Sequence, residues 1–381
     1  MISRMADRER FIILDPKRDK RRAVADTLAP LGELVWRKAP PLAPRPDTAA
    51  WAAAQTARAM SKDRGYGALR DRLTLRLLAH QYAGTHLHFT NNPQDVAVCW
   101  NGLNGSRRVF MQAARDAGAR TLFFELSPLK GRITVDPCGV NHANSLPRDP
   151  APYLAWAQAR RDPDRSWRRL AHDVTQRATD QVHASSSDLP PLTEPFVLVA
   201  LQTPGDSQLR LFGGAFKTVV RYAAACLEAA QHLPLGWHMR IKEHPTAPTD
   251  LRDLVAMNGR GRAFLDNATD TFTQVAAARA VFTVNSSVGL EAMMFDKPVV
   301  ASGQVFWNID GIATAAPDAE ALARTCAQVE SLGFDPIRRD AFLDFLDQVY
   351  YPKPDRDHAL ISARLAGPDA FGFWSRTAER K

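Results

Sequence analysis

Short, almost wholly apolar runs recur along this chain, each followed by a polar or glycine-bearing turn and then by a helical stretch. Phe11–Asp15 (FIILD) is the first such run and reads as a buried strand; Arg21–Leu28 then reads as a helix and Glu33–Trp36 (ELVW) as a second strand. The proline-rich Lys38–Asp47 is a loop, and Thr48–Tyr82, rich in alanine, leucine and arginine, is predicted mostly helical. Val96–Trp100 (VAVCW) is the next strand, followed by the loop NGLNGS, a helix through Val109–Ala117 and the strand Thr121–Glu125 (TLFFE). That alternation is the mark of βαβ units in a parallel sheet.

Asp149–Ser187 is polar and poor in strand signals, and Pro190, Pro191 and Pro195 mark a boundary. A second α/β series opens at Phe196–Leu201 (FVLVAL). It continues through a helix at Phe216–His232, strand Trp237–Lys242 (WHMRIK), helix Thr271–Ala280, strand Ala280–Val284, helix Gly289–Phe295 and strand Pro298–Ala301. Ala319–Ser331 and Arg339–Tyr350 are the closing helices, and no repeat at solenoid spacing is present. The expectation is an N-terminal Rossmann-like domain with a helical linker over 1–188, a second over 189–345, and a tail, 346–381, packing back on the first.

Composition adds bounds. At 381 residues the chain exceeds a usual single core, which favours two domains. No apolar run approaches the roughly 20 residues of a membrane span, and Phe11–Leu14 is too short for a signal peptide's apolar region. A cytoplasmic protein is therefore expected. Cys99, Cys138, Cys226 and Cys326 are scattered with no CxxC pair, so buried, reduced thiols are expected rather than a zinc cage or disulfide framework.

The net charge of +8 suits nucleic acid, an anionic membrane surface or anionic small substrates. Nucleic acid is the weakest of these, since the basic residues are not organised around an aromatic stacking platform. Arg160–Arg169 (RRDPDRSWRR), with Trp156 and Trp167 interleaved, suits the headgroup zone of an anionic leaflet or, equally, a solvated linker broken by Pro163.

Ligands of open α/β sheets bind outside the carboxyl ends of the strands, and three strand ends of the second series carry small, polar or basic residues. QTPGDSQ follows FVLVAL and presents Gln202, Gly205, Asp206 and Ser207, of which Asp206 and Ser207 also suit a helix cap. Lys242-Glu243-His244-Pro245 follows the next strand, with His244 as a donor or acid toward a departing phosphate. NSSVGLEA then sets Asn285, Ser286 and Ser287 at a helix start, with Gly289 allowing close approach of a phosphate and Glu291 in the first turn accepting from ribose hydroxyls. Plain N-capping is the simpler reading of the serines. In the first series Glu125 is the carboxylate nearest the expected cleft, with Asp136 a second candidate; Asn101–Ser106 suits a hydroxyl-rich ligand or a plain turn.

Four blocks in order, Phe123–Pro150, Val199–Leu209 (VALQTPGDSQL), Ile241–Pro245 (IKEHP) and Phe282–Ala313, resemble the capsule polysaccharide synthesis glycosyltransferases, the Kps-type β-Kdo transferases, especially their single-module members. The resemblance implies a GT-B fold, two Rossmann-like doubly wound domains facing a cleft, with the donor held mainly by the second. It implies transfer of Kdo from CMP-Kdo, a donor substrate rather than a cofactor, to a lipid-linked or polysaccharide acceptor, without a metal. The His-Pro and Ser-Ser motifs that contact CMP in such proteins fall on His244-Pro245 and Ser286-Ser287. The acidic motif, two carboxylates followed by glycine, falls at Glu125, where this chain has Glu125-Leu126-Ser127 and a single acid. Peripheral association with the inner membrane face and with capsule assembly machinery is implied as well. A GT-B transferase using CMP-sialic acid or a UDP-sugar as donor, or a non-catalytic capsule assembly or export protein, are the other readings.

Overall fold

The computed structural model describes residues 8–16, 18–61, 67–160, 165–170, 185–247 and 250–366. The chain divides into two compact units, one formed by Met1–Leu146 with Leu346–Lys381, the other by Pro147–Phe345.

The first unit opens with β1 (Glu9–Leu14), α1 (Arg18–Leu28) and β2 (Gly32–Arg37), then α2 (Thr48–Ala59) and α3 (Ala68–Asn91). It continues through β3 (Asp95–Trp100), α4 (Gly105–Asp116), β4 (Arg120–Leu126) and β5 (Ile133–Asp136). The stretch expected as one helical region is two helices, and the second runs past Tyr82 to Asn91 because nothing breaks it before Pro93. The sheet order is β2-β1-β3-β4-β5, so successive connections diverge at β1/β3. β3 is buried along its whole length, as a central parallel strand must be. β5 pairs antiparallel with β4, because the link from Leu126 to Ile133 is too short for a crossover.

The second unit begins with α5 (Ala151–Gln158) and α6 (Trp167–Leu170). Its strands are β6 (Phe196–Ala200), β7 (His238–Lys242), β8 (Ala263–Leu265), β9 (Ala280–Thr283), β10 (Val299–Ala301) and β11 (Thr314–Ala315). Between and after them come α7 (Ser207–Phe212), α8 (Val219–Ala229), α9 (Arg252–Asn258), α10 (Thr271–Ala277), α11 (Ser287–Met293), α12 (Ala319–Ala327) and α13 (Pro336–Phe345). All pairings are parallel, in the order β11-β10-β9-β6-β7-β8. Alternate residues Val197 and Val199 of β6, Met239 and Ile241 of β7, and Ala280 and Phe282 of β9 form one core with Tyr222, Cys226 and Leu227 of α8 and Leu322 and Cys326 of α12. Two Rossmann-like units are thus present.

The boundary differs from the expected one at 188. α5 belongs to the second unit because its aromatic face packs on α13, with Tyr153 edge-on to Phe342 at 5.1 Å and Trp156 edge-on to Phe345 at 5.2 Å. Trp156 and Trp167 are buried, while Arg165 and Arg168 pair with Asp340, and Arg168 also with Asp296. Neither a headgroup contact nor a solvated linker describes these residues: the indoles gain more by burial in the core. Residues 161–164, Pro163 among them, lie outside the described residues.

Past Phe345 the chain makes a π-helical turn, Leu346–Tyr350, and α14 (His358–Ala363). Ile361 and Leu365 enter the core of the first unit, and the buried Arg364 guanidinium donates to the carbonyls of Val349 and Tyr350. Residues 367–381 of the expected tail lie outside the described residues. Cys99, Cys226 and Cys326 are buried and Cys138 half-buried; burial pushes the Cys99 thiol up to about 12. No described helix is long and apolar enough to cross a membrane, and no cluster of three metal-ligating side chains occurs among the described residues.

Candidate functional site

In the second unit β9, β6 and β7 are neighbours, so the three polar strand ends lie side by side at one edge of the sheet. From β6 the chain steps to β7 and β8 on one side, then returns to β9 on the other. The sheet therefore has its topological switch between β6 and β9, where open α/β sheets hold ligands. Gln202 and Asn285 stand at that switch and are joined across it: the Asn285 N–H donates to Gln202 Oε1 at 3.3 Å. Gln202 Nε2 donates to Asp206 Oδ2 at 3.2 Å, and Asp206 Oδ1 accepts from the Gln208 N–H at 2.9 Å, capping α7. Asp206 thus orders this wall as a cap.

Asn285 Nδ2 donates to the carbonyl of Gln208 at 3.1 Å. Its Oδ1 and the Nε2 of Gln208 are buried without a protein partner. Both atoms are enclosed by the protein, as are other unpaired polar side-chain atoms elsewhere in the chain, so they order this wall rather than present themselves to a ligand. Ser286 caps α11, its Oγ accepting from the Val288 N–H at 3.3 Å, and Ser287 is exposed. Neither serine hydroxyl donates to a protein acceptor among the described residues, so both are available to an anion. α11 starts at Ser287 and spans seven residues, which puts Glu291 in its second turn and leaves little macrodipole. An anion placed here would meet hydroxyls rather than a strong helix dipole.

Gly289 has a packing role. A Cβ there would sit 2.5 Å from the indole of Trp307, itself buried, so the glycine allows α11 to lie on that ring rather than a phosphate to approach the backbone. Gly289→Ala should cost about 1–3 kcal/mol through overpacking, read as a lowered urea midpoint. An unchanged midpoint would mean that the ring can move.

On β7 the pattern splits. Lys242 is buried, and its ammonium donates to the carbonyls of Asn267 at 3.1 Å and Thr269 at 2.7 Å; burial lowers its pKa from the ordinary lysine value. It fastens the loop after β8 rather than facing a phosphate. Glu243 is held by Asn267, whose Oδ1 accepts from the Glu243 N–H and whose Nδ2 donates to Glu243 Oε2, both at 2.9 Å. His244 is half-buried, and its Nδ1 accepts from the Thr246 N–H at 3.2 Å. A backbone N–H can only donate, so the neutral ring carries its hydrogen on Nε2, the tautomer that can donate to a phosphate oxygen. Pro245 follows, half-buried, in the turn that brings Thr246 back to the ring. Asn267, which orders this edge from the loop after β8, is a residue that the three strand-end motifs do not include.

Behind His244 lies a buried charge cluster. Arg240 pairs with Asp266 and donates through Nε to His238 Nε2 at 3.2 Å. Burial, with the Arg240 charge adding, lowers His238 from its usual 6.5 to about 4. The unfolded chain therefore takes up this proton first as pH falls. The associated stability is complete above about 6.5 and is lost on the way down to about 4, by up to about 1.4 kcal/mol per pH unit. Urea midpoints measured from pH 7 downward should show this slope, and His238→Gln should flatten it; equal slopes would assign acid lability elsewhere.

In the first unit Glu125 is half-buried near the end of β4. Its Oε1 accepts from Trp100 Nε1 at 3.1 Å and from the Leu126 N–H at 3.0 Å, and its Oε2 from Asn101 Nδ2 at 2.7 Å. Asn101 and Gly102 lie in the left-handed region, with φ of 68° and 75°. A Cβ on Gly102 would meet the ring of Phe123 at 2.6 Å. The loop after β3 is thus a shaped cradle for one carboxylate rather than a plain turn. Asp136 is fully buried and satisfied by Cys138 N–H, Gly139 N–H, Ser145 and Tyr350, while burial pushes its carboxyl up. It organises the 138–145 loop and is not available to a substrate.

A cavity of about 280 Å³ lies elsewhere in the second unit, along edge strand β8, between Ser185–Asp188 and α9. None of the residues expected to bind the donor lines it.

Residues 165–330 match the family model described as capsule polysaccharide biosynthesis protein. Protein FixF of Sinorhizobium fredii (strain NBRC 101917 / NGR234) is 30% identical over 272 residues, 71% of this chain and 64% of that protein. The chain thus spans just under two thirds of that relative's length. Thermosulfurimonas dismutans KpsC structures are similar at low identity. The β-Kdo 2,7 transferase gives a TM-score of 0.48 at 12% identity, over 88% of this chain and 98% of the other. The β-Kdo 2,4 transferase gives 0.44 at 14%, over 87% and 89%. The matched segment begins at Arg165 and takes in every residue from Gln202 to Glu291 that was expected to bind the donor; over that segment the chain is similar to the capsule polysaccharide biosynthesis proteins.

Proposed function

We propose that the chain is a glycosyltransferase whose second unit binds a nucleotide-sugar donor, CMP-Kdo, and passes the sugar to a glycolipid or capsular polysaccharide acceptor. The observation that carries this reading is the set of groups at the β6/β9 switch. Ser286, Ser287 and the Nε2 hydrogen of His244 are donors suited to a phosphate. The choice of CMP over other nucleotides rests on the His-Pro and Ser-Ser motifs. In the reaction the bond from the anomeric carbon to the phosphate oxygen breaks, CMP departs, and the acceptor hydroxyl oxygen takes its place as its proton passes to a base. His244 stabilises the departing phosphate, and Glu125 is the carboxylate we assign to the transfer chemistry.

Thermal shift with CMP, CDP and UDP tests the donor class. CMP is expected to stabilise the protein, and His244→Ala or Ser286→Ala to weaken that shift without lowering the ligand-free melting temperature. Stabilisation by UDP alone would point to a UDP-sugar transferase. A shift with CMP but no turnover of CMP-Kdo would point to a non-catalytic assembly role.

A further inference from the structure

We infer that the outer face of α3 is a docking surface for an anionic lipid bilayer. α3 is apolar on two sides. Leu75, Leu78, Ala79 and Tyr82 face a core shared with α2 and α4, and the opposite side would ordinarily be polar. Instead Leu69, Leu73 and Leu77, at i, i+4 and i+8, are 73%, 56% and 48% exposed. At 100° per residue they form one stripe, to which Leu87, five full turns from Leu69, returns.

The gap between Leu77 and Leu87 is covered by a loop that continues the stripe. Gly84 lets the backbone of Pro41 and Leu42 lie against the helix, since a Cβ there would be 2.5 Å from the Leu42 carbonyl carbon. Reciprocal bonds between Ala43 and His80 fasten the loop: the Ala43 N–H donates to the His80 carbonyl at 3.1 Å, and His80 Nδ1 donates to the Ala43 carbonyl at 2.6 Å. Leu42, 63% exposed, is thereby held on the Gly84 side of α3, the side that carries the stripe. A single exposed leucine carries no information, but five on one face do.

Charge selects the occupant. Arg72 and Arg76 flank the stripe on one side and Arg70 on the other, all exposed, and Arg72 and Arg76 make no ion pair among the described residues. The helix's one acid, Asp71, is turned to Arg58 at 2.6 Å. Leucines bordered by exposed arginines match the interface of an anionic leaflet, where the leucines enter the acyl boundary and the arginines meet headgroup phosphates. This surface is independent of the donor site and replaces Arg160–Arg169 as the membrane-facing element.

The test is flotation of the full chain with vesicles of roughly equal phosphatidylglycerol and phosphatidylcholine, and with phosphatidylcholine alone, alongside light scattering of the lipid-free protein. Wild type should bind the anionic vesicles and not the neutral ones. Arg72→Gln with Arg76→Gln should lower the partition about thirtyfold, taking about 1 kcal/mol per arginine. Leu69→Gln, Leu73→Gln and Leu77→Gln together should abolish it while the melting temperature and CMP shift stay unchanged. Binding that survives the leucine changes overturns the inference. So does a dimer that those changes split in a protein that binds neither vesicle, because a second copy would then be the occupant.

Discussion

Glu125→Ala should abolish sugar transfer while leaving the CMP-induced thermal shift at its wild-type size. The carboxylate is held by three donors, Trp100 Nε1, Asn101 Nδ2 and the Leu126 N–H, so its position is set before any substrate arrives. Such preorganisation is worth building only for a group whose charge is used, and removal of a positioned base or nucleophile costs about 10²–10⁴ in rate. Glu125→Gln separates charge from shape. An amide keeps the volume but must turn its NH2 toward either the Asn101 amide or the indole N–H, replacing an accepted hydrogen bond with a donor facing a donor. Both variants should be inactive, with the glutamine form melting slightly lower than wild type. CMP release from CMP-Kdo at the wild-type rate by either variant would remove Glu125 from the chemistry and leave the single acid of Glu125-Leu126-Ser127 as a structural tie for the Asn101 loop.

Arg240→Met should destabilise the protein by about 3–5 kcal/mol, the cost of leaving one member of a buried ion pair without its partner. Arg240 and Asp266 are almost fully enclosed, and Arg240 also donates to His238 and to the carbonyl of Pro190. Asp266 Oδ1 accepts from the Thr269 N–H at 3.0 Å, so the uncompensated carboxylate would sit at the root of the loop that holds Lys242 and Glu243. Adding Asp266→Asn should recover part of the loss, since an amide tolerates the buried site without its cation. Urea unfolding of the single and double variants measures both terms. A loss below about 1 kcal/mol for Arg240→Met would show that water reaches Asp266 readily.

Much of this could be read before the fold was seen, because parallel sheets write themselves plainly. VAVCW and FVLVAL are buried on both faces and so appear as unbroken apolar runs. With the strands placed, the convergence of Gln202, His244 and Asn285 at one sheet edge follows from connectivity alone. What stayed hidden depends on partners far along the chain. The place of α5 is decided by α13, nearly two hundred residues later, and that contact also buries Trp156 in a segment whose composition suits a membrane. Lys242 looks like a phosphate ligand until Asn267 and Thr269 supply carbonyls for it. Gly289 looks like a phosphate-loop glycine until Trp307 lies against it. Asp136 reads as a spare catalytic acid, but four groups from residues 138–145 and Tyr350 enclose it. In each case local chemistry was right about polarity and silent about which neighbour would claim it.

A crystal structure of the protein with CMP bound tests the central claim most directly. The phosphate is expected within hydrogen-bonding reach of the Ser286 and Ser287 hydroxyls and His244 Nε2. CMP lodged instead in the cavity between Ser185–Asp188 and α9, with the β6/β9 switch empty, would contradict it.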